Sequence, residues 1–527
     1  MPCQRRYRSS LDVFGSSIGN TLFSVEHHLA MLRQSKQGGL WLLMAMSFLL
    51  FFGCSSLRHW LLQSAGFDLG IFDQAVYLIS KGQAPISSFL GFHILSDHAA
   101  FILYPISLLY RLYPTVYWLL AVQALALALA AYPAYKLALL AGLAESRATL
   151  VAAVYLLYPV AFNVSVFDFH PDAIAMPALF WMVLAARTQK VVQFCVATAI
   201  VLSCKAAFSL TVAAMGLWLL LFERRKRMGA IALAAGVAWF LIAVKLVIPA
   251  FSAEGGLGLV SRHLFRYGDL GSSYGEVAMA LVTQPQLMLT YLIAPTTLEY
   301  FALLIAPAVY LLLAVPKAIK AKAIGSKQVF RTLYLLTPAI PVLAMNILST
   351  QHSQRNLVQW YSLPVVPFII LIVIAYLKAS DSLSLRQQRK QTRFMISWAV
   401  VAFLSLSRLI TLVSPPYTAA DTFAAARTAI SRVVAGDSVL TTSEIAPHLS
   451  HRGHIEFTNG EVPLSKVDTF EAVLLNTRYP GWNSNVLTAM SLREHLEASE
   501  RFRLDYQQDG VYLFVQAENI RAEAVEE

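Results

Sequence analysis

Eight side chains capable of acid–base or ligand chemistry are gathered in two short segments of an otherwise apolar chain. They are Asp68, Asp73, Asp97, Asp168 and Asp172, with His93, His98 and His170. A charged group at the centre of a membrane helix costs about 2.5 to 3.5 kcal/mol, so acids kept between apolar runs need a reason. A carboxylate can serve as a general base, and carboxylates with imidazoles can bind a divalent cation or a phosphate.

The segment FDLGIFDQAVYLISKGQ predicts an amphipathic helix that lies on the outer membrane surface. Its apolar face carries Ile71, Phe72, Ala75, Val76 and Ile79. Two interpretations of the acids in this segment stay open. In one, Asp68 caps the helix and Asp73 is a solvated charge near the helix start. In the other, Asp68 is a general base and Asp73 binds substrate.

The Asp97-His98 pair precedes an apolar segment, and the motif FDFHPD follows further along the chain. We expect these two groups of side chains to meet across the outer mouth of a helix bundle. The candidates for binding substrate are His93, His98, Asp168, His170 and Asp172. The candidates for holding a cation such as Mg²⁺ or Mn²⁺ are Asp97, His98, Asp168 and His170, although their spacing is not diagnostic of a metal site. The structural alternative is helix capping by Asp97 and a helix that starts at Pro171.

Cationic and aromatic side chains supply further candidates for binding an anionic substrate. Lys205 interrupts an apolar stretch, where it either pairs with a buried carboxylate or extends towards the interface. The other candidates are Arg262, Arg266, His352, Arg355 and Tyr361. Arginine forks suit phosphate oxygens, which favours a lipid headgroup as ligand. Ordinary anchoring of Arg and Tyr at the membrane interface explains the same pattern. In the tail, His448, His451 and His454 favour a solvated turn over a metal site.

The composition excludes a soluble globular enzyme. The 527 residues are 57% hydrophobic and 13% charged, whereas soluble domains have roughly a quarter charged residues. The first 413 residues contain 32 Lys and Arg against 14 acidic residues, and the remainder contains 9 against 16. Cations at the ends of membrane helices explain the basic excess, and nucleic-acid binding is not indicated.

Recurrent apolar runs predict an α-helical polytopic membrane protein with about ten to twelve crossings. The positive-inside tendency places residues 1–38 in the cytoplasm and the tail outside. The predicted domains are therefore a cytoplasmic segment at 1–38, a transmembrane domain at 39–413 whose first external loop is 58–98, and an extracytoplasmic α/β domain at 414–527. One parity problem remains, because 99–113 and 116–140 look like two spans where an odd number is needed. Either the first is a short re-entrant helix, or 167–172 is not external.

The tail predicts a small soluble α/β unit without disulfides, since none of the four cysteines lies in it. Helical periodicity appears at 422–434 and 486–498, and β runs appear at 438–442 and 470–475. The segments 501–506 and 510–515 are typical of a terminal hairpin.

Several motifs in the same order resemble a bacterial membrane-protein family known as domain of unknown function 2079. They are FDLGIFDQAVYLISKGQ, SDHAAFILYPISLLYRLYP, LLYPVAFNVSVFDFHPDAIAMP, WFLIAVKLVIPAF with RYGDLG, and QHSQRNLVQWYSLPVVPFI. The resemblance covers about residues 40–380. The family is in turn similar to the GT-C glycosyltransferases, integral membrane enzymes that use polyprenyl-phosphate sugars.

This resemblance implies a glycosyltransferase of the bacterial plasma membrane that acts on its outer face, with a glycan, lipid or protein acceptor. It implies that Asp68 and Asp97 are the catalytic acids and that Asp68 is the base. Ala206 and Ala207 depart from the family, where acids often follow the lysine that matches Lys205. The alternatives are a transporter of lipid or solute and a non-catalytic scaffold with an outer binding domain.

Overall fold

The computed structural model describes residues 37–252, 263–312, 332–409, 412, 420–460 and 463–517. The first 36 residues, predicted to be cytoplasmic, lie outside the described residues, as does Arg262. Helices dominate the chain as far as Leu406. Their bounds are Gly38–Trp60, Ile71–Ser80, Ile94–His98, Leu103–Leu112, Tyr117–Leu129, Ala131–Leu140, Glu145–Leu156, Pro159–Phe167, Asp172–Arg187, Val191–Cys204, Phe208–Leu221, Lys226–Ile242, Ile248–Ala250, Tyr274–Thr283, Pro285–Ile293, Pro295–Ile305, Ile340–Leu348, Val366–Ala379 and Leu385–Leu406.

Four helical stretches of the described chain are long and apolar enough to cross a membrane. They are Gly38–Trp60, Tyr117–Leu140, Lys226–Ala250 and Trp360–Ala379. Two bent pairs raise the number to six, with angles of 43° and 55° where Pro159 and Pro295 begin the second helix of each pair. Proline lacks the N–H needed by the preceding turn, which explains both bends. The remaining predicted crossings correspond partly to shorter apolar helices at Val191–Cys204, Phe208–Leu221 and Tyr334–Leu348.

The parity problem is answered by the length of the helix Leu103–Leu112. Ten residues rise about 15 Å, half the thickness of a hydrocarbon core. The helix packs instead against Ile71–Ser80, hereafter the first-loop helix, in one apolar cluster. The first alternative, a short helix that does not cross, therefore fits the structure.

The predicted outward segments meet at one end of the bundle. The corner at Lys205 contacts the residues after the first-loop helix, because Ala206 N–H donates to His98 O at 2.8 Å and Ile102 N–H donates to Ser203 O at 3.0 Å. At the helix ends away from this corner, Arg147 pairs with Asp381 and Arg187 with Glu223 at 2.7 Å. Acids of the membrane part are thus found both near this corner and at the opposite helix ends.

The tail is a three-layer α/β domain that contains a five-stranded sheet. The sheet order is β4-β3-β5-β7-β6. A two-stranded ribbon in the first loop supplies β1 and β2, so the strands are β1 Ile86–Ser87, β2 Phe92–His93, β3 Val439–Thr441, β4 Ile455–Phe457, β5 Ala472–Asn476, β6 Phe502–Gln508 and β7 Val511–Gln516. β3, β4 and β5 are parallel, and β6 and β7 form the predicted terminal hairpin. The tail helices are Ala420–Arg432, Leu464–Val467 and Val486–Glu497.

The tail domain packs against the end of the bundle that carries the first loop. Leu62 belongs to the apolar core on one face of the tail sheet. His59 stacks on His448 with ring centroids 4.0 Å apart, and Trp60 lies against Phe423. The first-loop helix is consequently buried on both sides and does not present one face to solvent. The tail domain thus covers this helix, and its place at the outer membrane surface stays a prediction.

Candidate functional site

Asp68 lies in a tight π-helical turn, Gly66–Gly70, that leads into the first-loop helix. Asp68 does not cap that helix. The N-cap residue is Gly70, and no side chain accepts a hydrogen bond there. One carboxylate oxygen lies 3.7 Å from His170 Nε2, and the side chain is 13% exposed. Burial, and secondarily the negative charge of Asp168, raise the pKa of Asp68 to about 7. A carboxyl with this pKa is suited to exchange a proton near neutral pH.

Asp168 fixes the position of that turn and does not line a cavity with Asp97. Its carboxylate pairs with Arg58 Nη1 at 2.6 Å and accepts the Ala65 N–H at 3.2 Å. Arg58 also donates to the carbonyl of Phe167. The end of the first helix, the turn of Asp68 and the FDFHPD segment are thereby held together. Asp168 accordingly positions the turn that carries Asp68. Its predicted role as a metal ligand does not match these contacts.

Trp360 lies between the His170 ring, which neighbours Asp68, and Lys205, which was predicted to bind substrate. Its ring stacks on His170 with centroids 3.3 Å apart, and Lys205 Nζ lies 5.1 Å from its centroid. Lys205 Nζ also pairs with Asp172 at 2.6 Å, and both side chains are less than one-tenth exposed. Of the two interpretations of Lys205, pairing with a buried carboxylate is the one the structure shows. Removing either partner of such a buried pair would leave the other charge uncompensated, at a cost of about 3 to 5 kcal/mol.

Asp97 forms a candidate metal centre with His98 and His263. The carboxylate lies 3.3 Å from His98 Nε2 and 3.2 Å from His263 Nε2, and one ligand atom of each residue lies within 4.8 Å of the others. Burial lowers the pKa of His98 well below its usual value, which favours the neutral imidazole that metals bind. Two imidazoles and one carboxylate suit Zn²⁺ or Mn²⁺ better than Mg²⁺. The residues fit a cation, but the set differs from the predicted one, because His263 takes part and Asp168 and His170 do not.

A cavity of about 220 Å³ opens beside this cluster. It is lined by Asp97, His98, Asp172, Lys205, Arg266 and Tyr361 among the predicted residues, and by Ala206, Ala207, His263, Tyr267 and Trp360. Arg266 lies 5.6 Å above the Tyr361 ring. Asp68 is not among the lining residues, because His170 and Trp360 stand between it and the cavity. The site therefore has a cationic, metal-competent compartment and a separate acid behind an aromatic wall.

Other predicted ligands have structural contacts instead. His93 accepts the Leu95 N–H at 3.2 Å at the start of a short helix and stacks on Phe251. Arg355 donates to the carbonyls of Asn346 and Ile347 at the end of helix Ile340–Leu348. His352 is exposed and does not line the cavity. None of these three residues is among those that line the cavity.

Asp73 is also outside the cavity, since it faces the tail. Tyr110 and Ser450 hydroxyls donate to its carboxylate, and His451 Nε2 lies 3.0 Å away. The His448–His454 segment is therefore not a solvated turn. His448 and His451 pack on the first loop, whereas His454 pairs with Glu456 at 3.1 Å.

Three residues of the site were missed from the sequence. Trp360 directly precedes the candidate Tyr361 in the motif QHSQRNLVQWYSLPVVPFI. Its large aromatic side chain, next to a predicted ligand, was the feature of the sequence that could have identified it. His263 lies between the candidates Arg262 and Arg266 in the sequence, but no spacing there is typical of a metal ligand. Arg58 pairs with Asp168, which lies 110 residues away, and such a pairing leaves no local pattern in the sequence.

The fold is similar to that of two solved structures of ArnT from Cupriavidus metallidurans. The structure bound to undecaprenyl phosphate has a TM-score of 0.57 at 14% identity and covers 92% of this chain and 99% of that chain. The apo structure has a TM-score of 0.52 at 12% identity, with 90% and 99% covered. The molecule is thus a membrane protein with the GT-C fold. Residues 58–513 match the family described as "Predicted membrane protein (DUF2079)", and the chain belongs to that family. No curated protein sequence matches it.

Proposed function

We propose that the protein is a membrane glycosyltransferase that moves a sugar from a polyprenyl-phosphate donor to an acceptor hydroxyl on the extracytoplasmic face. The observation that carries the proposal is the convergence of Asp68, the Lys205–Asp172 pair and the Asp97 cluster at one end of a GT-C fold. The ArnT structure bound to undecaprenyl phosphate supports a lipid-linked donor. The apolar chain supports a multi-pass location in a bacterial plasma membrane, with its tail domain outside.

The donor phosphate binds in the cavity, where Lys205 and Arg266 supply positive charge. Asp172 holds the Lys205 ammonium in place, so the charge is oriented before substrate arrives. Charges that are already fixed in a water-poor site stabilise the negative charge that develops on the leaving phosphate better than mobile charges do, because fixed charges need no reorganisation during the reaction. A divalent cation held by Asp97, His98 and His263 would neutralise the leaving phosphate further.

Asp68 acts as the base for the acceptor. The acceptor oxygen forms a bond to the anomeric carbon, the bond from that carbon to the phosphate oxygen breaks, and the hydroxyl proton passes to the Asp68 carboxylate. Polyprenyl phosphate leaves with the electron pair. Since His170 and Trp360 lie between Asp68 and the cavity, these rings must move aside for donor and acceptor to meet.

The test is complementation of a strain from which the gene has been deleted, with glycolipids and surface glycans profiled by mass spectrometry. We expect the unaltered protein to restore the profile. Asp68→Asn and Asp97→Ala, present in the membrane at equal amounts, should leave it unrestored. Asp421→Asn is the matched control, because Asp421 is an exposed aspartate of the tail that pairs with Arg478.

Full restoration by both Asp68→Asn and Asp97→Ala would contradict the proposal. That result would favour a transporter or a non-catalytic scaffold, for which neither acid is needed as a catalyst. The apolar lining at Ala206 and Ala207 is the structural feature most compatible with such an outcome, because no carboxylate follows Lys205 in the cavity wall.

A further inference from the structure

The tail sheet has the geometry of a ligand-binding α/β domain. β3 pairs with β4 on one side and β5 on the other, and all three run parallel. The chain passes from β3 to β4 and then crosses back to β5, so the strand order reverses between β3 and β5. In open α/β sheets, ligands bind in the crevice beyond the carboxyl ends of the strands at this reversal. Here those ends lead into residues 442–444 and 477–485.

Three buried side-chain oxygens at this edge have no hydrogen-bond partner among the described residues. The Thr442 and Ser443 hydroxyls are fully buried and make no hydrogen bond within the described part of the chain. The same holds for Asn483 Oδ1 on the loop that follows β5. A buried polar atom without a partner costs about 1 to 3 kcal/mol, so such a group points to a ligand that supplies hydrogen bonds.

The edge also offers a carboxylate and an aromatic platform. Burial raises the pKa of Glu444 to about 7, with Arg58 acting in the opposite direction. The loop after β5 packs closely against Glu444. A Cβ atom added to Gly481 of this loop would lie only 2.7 Å from Glu444 Cγ. On that loop, Trp482 is 69% exposed. Trp482 directly follows Gly481, the glycine that contacts Glu444 and Ser443. An exposed aromatic ring on the same loop as these contacts suits a ligand with an apolar face and many hydroxyls, which is the chemistry of a sugar ring.

This edge adjoins the turn that carries Asp68. Gly66 N–H donates to Ser443 O at 3.0 Å, and a Cβ on Gly66 would lie 3.0 Å from Ala446 Cβ and 3.1 Å from Phe457. The glycine at the start of the turn thus permits close approach of the tail. Phe67 further contacts Phe457 edge to face.

We infer that the carboxyl edge of β3 and β5 binds the saccharide acceptor, with Trp482 stacking on a sugar ring and Glu444 accepting hydrogen bonds from its hydroxyls. This inference rests on the proposed function in one respect, namely that the bound saccharide is the acceptor of the transfer reaction. Binding of the saccharide does not itself require turnover. An acceptor held here approaches Asp68 from the tail side, whereas the donor cavity lies on the other side of the His170–Trp360 wall.

The test measures binding of the full-length protein in nanodiscs to an array of bacterial saccharides free of lipid, and to vesicles that contain lipopolysaccharide. We expect saturable binding that weakens at least about tenfold in Trp482→Ala and in Glu444→Gln. Leu504→Ala and Glu494→Gln, exposed tail positions away from this edge, should bind as the unaltered protein does. Binding on the array identifies the glycan alone as ligand, and binding on the vesicles only identifies a lipid-carried glycan.

Two outcomes would overturn the inference. One is the absence of binding by the unaltered protein on both array and vesicles. The other is binding that Trp482→Ala and Glu444→Gln leave unchanged. Asp68→Asn separates this inference from the proposed function, because it should retain saccharide binding while abolishing transfer. If Asp68→Asn retains transfer but Trp482→Ala loses binding, the saccharide site stands and the catalytic assignment fails.

Discussion

Asp68 and Asp73 lie five residues apart in the same loop, and the structure gives them opposite environments. Asp68 has one imidazole at 3.7 Å and a second carboxylate nearby, and its pKa is raised to about 7. Asp73 is more deeply buried, and burial alone would raise its pKa. His451, Ser450 and Tyr110 outweigh that effect and hold the pKa of Asp73 below its ordinary value.

The difference shows that burial by itself does not separate a reactive acid from a structural one. Both carboxylates are removed from water, but Asp73 receives two hydroxyl donors and a cationic partner, two of them from the tail domain. Asp68 lacks comparable donors and is left near its protonation midpoint. A fully satisfied buried carboxylate stabilises a specific contact, whereas an unsatisfied one is available for proton transfer.

The largest expected effect is on turnover. Asp68→Asn should lower transfer about 10²- to 10⁴-fold, since an amide cannot accept the acceptor proton. Its melting temperature at pH 8 should be equal to or higher than that of the unaltered protein, because the variant removes a charge that burial disfavours. Activity in a purified system together with thermal unfolding in the same detergent checks both parts. A large fall in melting temperature would assign Asp68 a structural role like that of Asp73.

The reverse pattern is expected for Asp73→Ala. Removing the carboxylate leaves the buried Tyr110 hydroxyl without its acceptor and the partly exposed His451 without its charge partner. A buried donor left without an acceptor costs about 1 to 3 kcal/mol. The tail should detach from the first loop, so limited proteolysis should cut between the membrane part and the tail faster than in the unaltered protein. Asp505→Asn, an exposed tail aspartate, is the control. An unchanged cleavage rate would show that Asp73 does not hold the tail in place.

A third expectation concerns the pH dependence of transfer. A base with a pKa of about 7 is active in its ionised form, so kcat/KM should fall about tenfold per pH unit below pH 7 and level off above it. Asp73→Asn protein that remains folded should keep this midpoint. A profile that is flat between pH 5 and 8 would exclude Asp68 as the essential base.

The smallest expected effect is a pH dependence of tail docking. Asp73 outweighs burial and raises the pKa of His451 above its ordinary value. The contribution of His451 is therefore complete below about pH 6.5 and is lost as pH rises through its folded-state pKa. The contribution of Asp73, whose pKa is lowered, is present above about pH 3.9 and is lost on acidification. Since His451 is partly exposed, we expect a loss of about 1 kcal/mol or less between pH 6 and 9, absent in His451→Gln. Protease protection across this range measures it.

Some secondary-structure elements can be predicted from the sequence because the pattern that indicates them lies within one short segment. The helix after Asp68 and the terminal hairpin were predicted from period and turn residues, and the structure confirms both. Acids of the first loop and of the FDFHPD segment were expected to lie near one another, and Asp68 lies 3.7 Å from His170; that they face the outside stays a prediction. By contrast, β4 was missed because Ile455–Phe457 is only three residues long and has no distinctive alternation.

The sequence alone determined that this is a membrane protein, that its rare acids are concentrated in a few segments, and that a separate α/β unit ends the chain. These properties depend on hydrophobicity and periodicity, which are local. Only the tertiary structure decided that Asp73 belongs to the tail interface, that Asp168 holds Arg58, and that His263 completes the Asp97 cluster. The reason is physical: the state of a buried carboxylate depends on donors and charges that arrive from hundreds of residues away, and no local pattern records them.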